Sequence, residues 1–105
     1  MQIQINTDKN ISGQDSLAQH VEDGLRSDLS RFSDQITRIE VHLSDENSSA
    51  KSGKKDKRCL LEVRLAGERP MATSEHAETI GDAVTFATEQ MINLLDTELG
   101  KRAKR

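Results

Sequence analysis

The sequence predicts an α+β domain with the element order β-α-β-β-β-α, a four-stranded mixed sheet with both helices packed on one face. Three observations support this fold class. Apolar residues alternate with polar ones in several short segments, and they recur every three or four positions in two longer segments. The chain of 105 residues is long enough for one domain and has no internal repeat. Because each predicted strand is apolar on one side only, helices need to cover only one face of the sheet.

The first strand and the first helix occupy the N-terminal third of the chain. Gln2 to Asn6 alternates polar and apolar side chains, as in a strand that is buried on one face. Asp15 or Ser16 can cap the helix that follows, which is predicted to end at about Arg31. Its apolar stripe consists of Leu17, Val21, Leu25, Leu29 and Phe32. A helical crossover between the first two strands predicts that they are parallel.

Three more strands follow, separated by one long and one short connection. From Thr37 onward the apolar positions of the second strand alternate with polar ones, and the same pattern returns in the third strand. These positions are Ile39, Val41 and Leu43, then Cys59, Leu61, Val63 and Leu65. The connection at about 46–57 is rich in Ser, Asn, Lys and Gly, which predicts a mobile loop. Met71 to Ser74 is predicted as a short return strand, which leaves His76 in a turn.

The final helix is predicted to begin at Thr79, with Asp82 as its capping-box partner. Its apolar stripe extends up to Gly100 and consists of Ile80, Ala83, Val84, Ala87, Met91, Leu94, Leu95 and Leu99. We therefore expect a single domain over residues 1–100, followed by a basic C-terminal tail at 101–105.

The net charge of −3 conceals two basic segments on an acidic domain. Residues 51–58 and 101–105 hold nine of the 15 Lys and Arg residues and a single acid. The basic residues are Lys51, Lys54, Lys55, Lys57 and Arg58 in the loop, and Lys101, Arg102, Lys104 and Arg105 in the tail. Flexible Lys and Arg side chains bind phosphate backbones by neutralising their charge. Alternatively, the loop lysines only keep a long loop soluble and protect a hairpin edge from aggregation.

Residue types that could carry chemistry are present, but they do not form a recognised site. The metal-capable residues share no ligand spacing, and they are His42, Asp45, Glu46, Cys59, Glu75 and His76. Cys59 has the apolar parity of its strand, which favours a buried thiol over a nucleophile, and no Gly-rich phosphate loop occurs. The sequence therefore predicts no enzyme, no cofactor, no metal site and no small-molecule substrate.

The composition argues against a membrane partner and favours the cytoplasm as the compartment. No apolar run approaches the roughly 18 residues needed to cross a bilayer, so no membrane partner is expected. A lone cysteine cannot form an internal disulfide, which favours the cytoplasm. Two Phe and no Tyr or Trp leave no platform for stacking bases, so a bound nucleic acid would be held with little sequence preference.

Four segments together resemble the ribosome hibernation factor and ribosome-associated inhibitor family, also described as sigma-factor modulation proteins. The resemblance covers nearly the whole chain and includes the order of the elements. The segments are Met1 to Ile5, Ile39 to Asn47, Lys57 to Gly67 and Ala72 to Glu75. The resemblance implies a cytoplasmic, bacterial stress or hibernation factor without catalytic activity. Its implied partner is the small ribosomal subunit, which it binds in the channel for mRNA and tRNA to regulate translation.

The two helices depart from the family pattern, because ribosome-binding members carry several Lys and Arg residues on both. The last helix has no basic residue between Ile80 and Leu99, and Glu89 stands about where the family often has Lys. The remaining candidates for binding ribosomal RNA are Arg26, Arg31, Lys51, Lys54, Lys55, Lys57, Arg58, Lys101, Arg102, Lys104 and Arg105.

Two readings of the function therefore stay open. The first is a ribosome-associated factor that binds ribosomal RNA through the two basic segments. The second is a protein-interaction module of the same fold that has lost ribosome binding, its acidic helices meeting a basic protein partner. The family resemblance and the basic segments favour the first reading, and the acidic helix faces favour the second.

Overall fold

The computed structural model describes residues 1–9, 11, 14–46 and 56–103, without the side chains of 14, 102 and 103. The described elements follow the predicted order β-α-β-β-β-α. They are β1 (Gln2–Thr7), α1 (Gln14–Asp28), a short 3₁₀ turn (Ser30–Phe32), β2 (Ile36–Asp45), β3 (Lys57–Leu65), β4 (Met71–Ala77) and α2 (Ile80–Ala103). The α+β fold class predicted from the sequence is confirmed.

The four strands form one mixed sheet in the order β1-β2-β3-β4. β1 and β2 are parallel, as the helical crossover predicts, with Ile3 beside Ile39 and Ile5 beside Val41. The other two pairings are antiparallel. The ladder between β2 and β3 is irregular near the start of β2, so Ile36 and Ile39 are both buried although they are three positions apart.

The core lies between the helices and one face of the sheet. Leu25 from α1 and Leu95 from α2 are almost fully buried, as are Val41 and Val63 from the two central strands. All four belong to one hydrophobic cluster, as the apolar stripes and the strand parity predict. Both helices therefore cover the same face of the sheet, and the polar positions of the strands remain on the other face.

The helix ends follow local capping chemistry. α1 gives way after Asp28 to the 3₁₀ turn, which lets the ring of Phe32 enter the core. The hydroxyl of Thr79 accepts a hydrogen bond of 3.0 Å from the backbone N–H of Asp82, which confirms Thr79 as the N-cap of α2. At its other end α2 continues through Lys101 to Ala103, so the first residues after position 100 are helical.

Three local expectations are wrong. α1 begins at Gln14, so Asp15 and Ser16 lie inside its first turn and do not cap it from outside. β4 extends to Ala77, because its ladder with β3 continues as far as Lys57, and His76 therefore lies on a strand and not in a turn. Leu94 does not belong to the buried stripe of α2: its side chain is 41% exposed. Neighbouring helix positions are about 100° apart around the axis, so burying Leu95 turns Leu94 towards the edge of the stripe.

Other expectations fall outside what the structure describes. The predicted mobile loop lies mostly at 47–55, outside the described residues. Within the described chain, neither helix combines the length and the hydropathy that a membrane span requires.

Candidate nucleic-acid interface

The two basic segments begin at opposite ends of the domain: one follows β2 in the chain, and the other follows Gly100 of α2. Lys57 pairs with Asp45 on β2 and with Ala77 on β4, so the long loop and the start of α2 share what we call the loop end. At the other end, Glu98 of α2 lines an open cavity together with Gly67 in the turn between β3 and β4. We call this the tail end, since α2 finishes there. β3 has nine residues between these ends, which corresponds to about 26 Å at 3.3 Å per step.

At the loop end, Lys57 is already engaged by two carboxylates. Its ammonium nitrogen lies 3.0 Å from the Asp56 carboxylate and 3.5 Å from that of Asp45. The hydrogen bond to Asp56, followed by the field of Asp45, raises the pKa of Lys57. The backbone N–H of Glu46 donates to the carbonyl of Asp56 over 2.9 Å and closes the base of the loop. Lys57 is therefore a structural ion-pair partner as well as a candidate for phosphate contact.

At the tail end, Arg31 is held by Asp96. Its two terminal nitrogens each lie 3.0 Å from a different oxygen of the Asp96 carboxylate, a bidentate pair between the 3₁₀ turn and α2. The guanidinium carbon sits 4.2 Å from the centre of the Phe32 ring. The hydrogen bonds that Arg31 donates to the Asp96 carboxylate raise the pKa of Arg31. More than half of each side chain of the pair is nevertheless exposed, so both remain accessible to a ligand.

Arg26 is neutralised within its own helix. Its guanidinium lies 3.0 Å from the Glu22 carboxylate one turn earlier, and it also donates to the carbonyl of Met1 over 3.4 Å. Pairs spaced i, i+4 on an exposed helix face stabilise a helix only slightly. Arg26 therefore offers an accessible but compensated charge.

Arg58 and Lys101 stand apart from these pairs, because within the described part of the chain neither makes an ion pair. Arg58 lies on the face of the sheet that the helices leave open, beside Ser44 on β2 and His76 on β4. Lys101 is exposed on the last turn of α2. Five other candidates lie outside the described residues, namely Lys51, Lys54, Lys55, Lys104 and Arg105, and the side chain of Arg102 is also undescribed.

The open face of the sheet carries a balanced group of charges that the sequence analysis did not single out. Arg38 lies opposite Arg64, and Glu40 lies opposite Glu62, on the two central strands. Arg38 donates to Glu40 over 3.0 Å, which lowers the pKa of the Glu40 carboxyl, and it also hydrogen-bonds Gln4. Two positive and two negative side chains give this group no net attraction for phosphate. The strand parity would have placed all four on this face.

The described residues do not favour thiol or metal chemistry. Cys59 is buried, and desolvation raises the pKa of its thiol to about 12, so the thiolate needed for nucleophilic attack does not form near neutral pH. The Nε2 atom of His76 lies 2.7 Å from a carboxylate oxygen of Glu46, which accepts the hydrogen bond. No group of three or more potential metal ligands converges within the described part of the chain.

The acids that pair with the predicted basic residues are absent from the sequence-based prediction. The i, i+4 spacing could have indicated Glu22, and adjacency could have indicated Asp56. Nothing in the sequence pointed to Asp96, which is 65 positions from its partner Arg31. Pairing within the chain, both local and across the fold, thus decides which of the predicted bases are compensated.

Comparison with known proteins concerns first the fold and then the family. The architecture of a four-stranded sheet with two helices on one face is shared with two solved structures. A family model described as sigma 54 modulation protein / S30EA ribosomal protein matches residues 3–103. The chain belongs to this family, which confirms the resemblance seen in the sequence. No curated protein matches the chain.

Two solved structures illustrate the shared fold. The N-terminal domain of Thermus thermophilus Protein Y is 22% identical, with a TM-score of 0.69 over 92% of this chain and 98% of that one. A ribosomal subunit interface protein from Coxiella burnetii is 18% identical, with a TM-score of 0.64 over the whole of both chains. At these identities the likeness concerns the fold.

Proposed function

We propose that the protein is a ribosome-associated factor of the hibernation type, which binds the small ribosomal subunit through RNA phosphates and thereby modulates translation. The single observation that carries this proposal is the family match over residues 3–103. One of the two structural relatives is a ribosomal subunit interface protein, which is consistent with the proposal. In this proposal the protein acts in the cytoplasm during stress, without catalysis and without a cofactor.

The distribution of charge supports contact at both ends of the domain. In this proposal the loop end contributes Arg58 and the lysines at 51, 54 and 55, and the tail end contributes Lys101 and the basic residues after it. The two ends are about 26 Å apart along β3, so one compact anion cannot reach both. An extended RNA backbone can, and the second contact is then intramolecular, which strengthens binding beyond either contact alone.

The paired bases are expected to contribute less than their number suggests. Arg26, Arg31 and Lys57 each have an acid within 3.0 Å. A phosphate must compete with that acid, so moving the base from carboxylate to phosphate brings little net charge neutralisation. The affinity is therefore expected to depend mostly on the uncompensated bases, and to fall steeply with salt.

A second candidate function rests on the groove between the two helices. Among the described residues, this groove is lined by Asp28 from α1, Asp82 from α2 and apolar side chains such as Val84, but by no Lys or Arg. An acidic groove with an apolar floor suits a basic segment of a protein partner. This candidate is the interaction module that has lost ribosome binding.

Sedimentation of a cell lysate through a sucrose gradient tests the proposal. The protein is expected to sediment with intact ribosomes and, once these are dissociated, with their small subunits. It is expected to leave these particles when the salt concentration is raised. Recovery at the top of the gradient, bound to a basic protein, would support the second candidate. Migration with large subunits alone would contradict the small-subunit proposal.

A further inference from the structure

The pair between Arg31 and Asp96 joins the 3₁₀ turn to α2 and has the geometry of a site for a planar oxyanion. Both side chains are more than half exposed, at 59% and 51%, so the pair is accessible to a ligand and contributes little to folding. The pair is nevertheless bidentate, with both distances at 3.0 Å. A planar fork that grips two carboxylate oxygens is the same geometry with which Arg grips two phosphate oxygens.

The guanidinium of Arg31 is also supported independently of Asp96. It lies over the ring of Phe32 at 4.2 Å, and that ring is fixed because Phe32 is buried in the core. Removal of the carboxylate would therefore leave Arg31 close to its present position, with both nitrogens turned to solvent. The site is prepared for an oxyanion and occupied by the protein's own acid.

The first base after Asp96 on α2 is Lys101. It lies five residues later, about 7.5 Å along the helix axis and about 140° around it, so it is on a different side of α2 from the carboxylate that holds Arg31. A phosphate that approaches Arg31 therefore meets the Asp96 carboxylate that already holds the guanidinium.

We propose that Asp96 competes with RNA phosphate for Arg31 and so sets the affinity of the tail end for ribosomal RNA below what its basic residues would otherwise give. This inference rests on the proposed function and assigns Asp96 a positioning role that the family match does not supply. Asp96 holds the guanidinium when RNA is absent and must be displaced before Arg31 can contact a phosphate. Release of the carboxylate opposes the gain, so the contact adds little net affinity in the parent protein.

Substitution of Asp96 by Asn tests this role directly, because it removes the charge and keeps the size. Glu89→Gln is the matched control: Glu89 is exposed on the same helix and makes no ion pair within the described part of the chain. Both variants lose one negative charge, so general repulsion of RNA changes equally in both. The measurement is the Kd for purified small subunits at several KCl concentrations, with thermal unfolding to verify the fold.

Asp96→Asn is expected to bind about three- to five-fold more tightly than Glu89→Gln at low salt, the range that an exposed ion pair allows. Its plot of log affinity against log salt is expected to be steeper by about 0.7–0.9, since Arg31 now neutralises one further phosphate. Adding Arg31→Ala to Asp96→Asn should remove both gains. In the parent background Arg31→Ala alone should have little effect.

The outcomes distinguish a failure of the inference about Asp96 from a failure of the proposed function. If the parent binds small subunits and the two variants behave alike, the competition by Asp96 is disproved and the ribosomal function stands. The same holds if Arg31→Ala weakens the parent as much as it weakens Asp96→Asn. If neither the parent nor Asp96→Asn binds small subunits at any salt, the proposed function itself fails.

Discussion

The two faces of the sheet differ in the side chains that they carry and in how far these are buried. On the covered face, aliphatic side chains from β2 and β3 such as Val41 and Leu61 are completely buried, and their strand parity alone predicts it. On the open face, Arg38 and Glu40 form an ion pair whose partners remain partly exposed. The comparison teaches that the pattern of apolar residues determines the fold, whereas the pairing of charges determines which bases are available to a ligand.

The largest expected effect concerns the covered face. Leu95→Ala is expected to lower the free energy of unfolding by about 2–5 kcal/mol, since the leucine is fully buried and its removal leaves a cavity. Leu94→Ala is the matched control, because this neighbouring side chain is 41% exposed, and its cost should stay near 0.5 kcal/mol or below. Denaturant titration measures both, and equal costs would show that the helix is rotated from the described position.

A smaller effect on stability is expected at the N-terminus of α2. Thr79→Ala removes the hydroxyl that accepts the N–H of Asp82 over 3.0 Å, and it should lower the free energy of unfolding by about 1 kcal/mol. Thr97→Ala, at an exposed position inside α2, should change it by less than about 0.5 kcal/mol. A neutral Thr79→Ala variant in the same titration would contradict the cap.

The smallest effect belongs to the open face. The hydrogen bond from Arg38 lowers the pKa of Glu40 below its ordinary value of 4.5. The ionised carboxylate therefore favours the folded state above the unfolded pKa, and this contribution disappears as the pH falls through the lower folded pKa. In Arg38→Ala, NMR titration should show the Glu40 pKa moving up towards 4.5, with only a minor loss of stability at neutral pH. An unchanged Glu40 titration would mean that the pair does not persist in solution.

Most of the fold could be predicted from the sequence because it depends on local periodicity. The alternation in β2 and β3 and the stripe of α1 each needed only a short window of residues. The errors arose where tertiary contacts decide: pairing with β3 extended β4 past His76, and the packing of Leu95 turned Leu94 outward. Neither contact leaves a local signal.

The candidate interface could be predicted only in part. The basic segments are visible in the sequence, but their position at opposite ends of the sheet depends on the register and on the direction of α2. The compensation of Arg31 by Asp96 joins residues 65 positions apart. A charge count treats both residues as independent, so the sequence overestimates the positive charge available to RNA.

The salt dependence of binding to purified small subunits tests the central claim most directly, with Gln replacing Lys51, Lys54 and Lys55 together. We expect this triple variant to flatten the slope of log affinity against log salt by about two to three units. Lys57→Gln alone is the control and should change the slope by less than one phosphate contact, because Lys57 is already paired with Asp56 and Asp45. A triple variant that binds small subunits like the parent at every salt concentration would contradict the account.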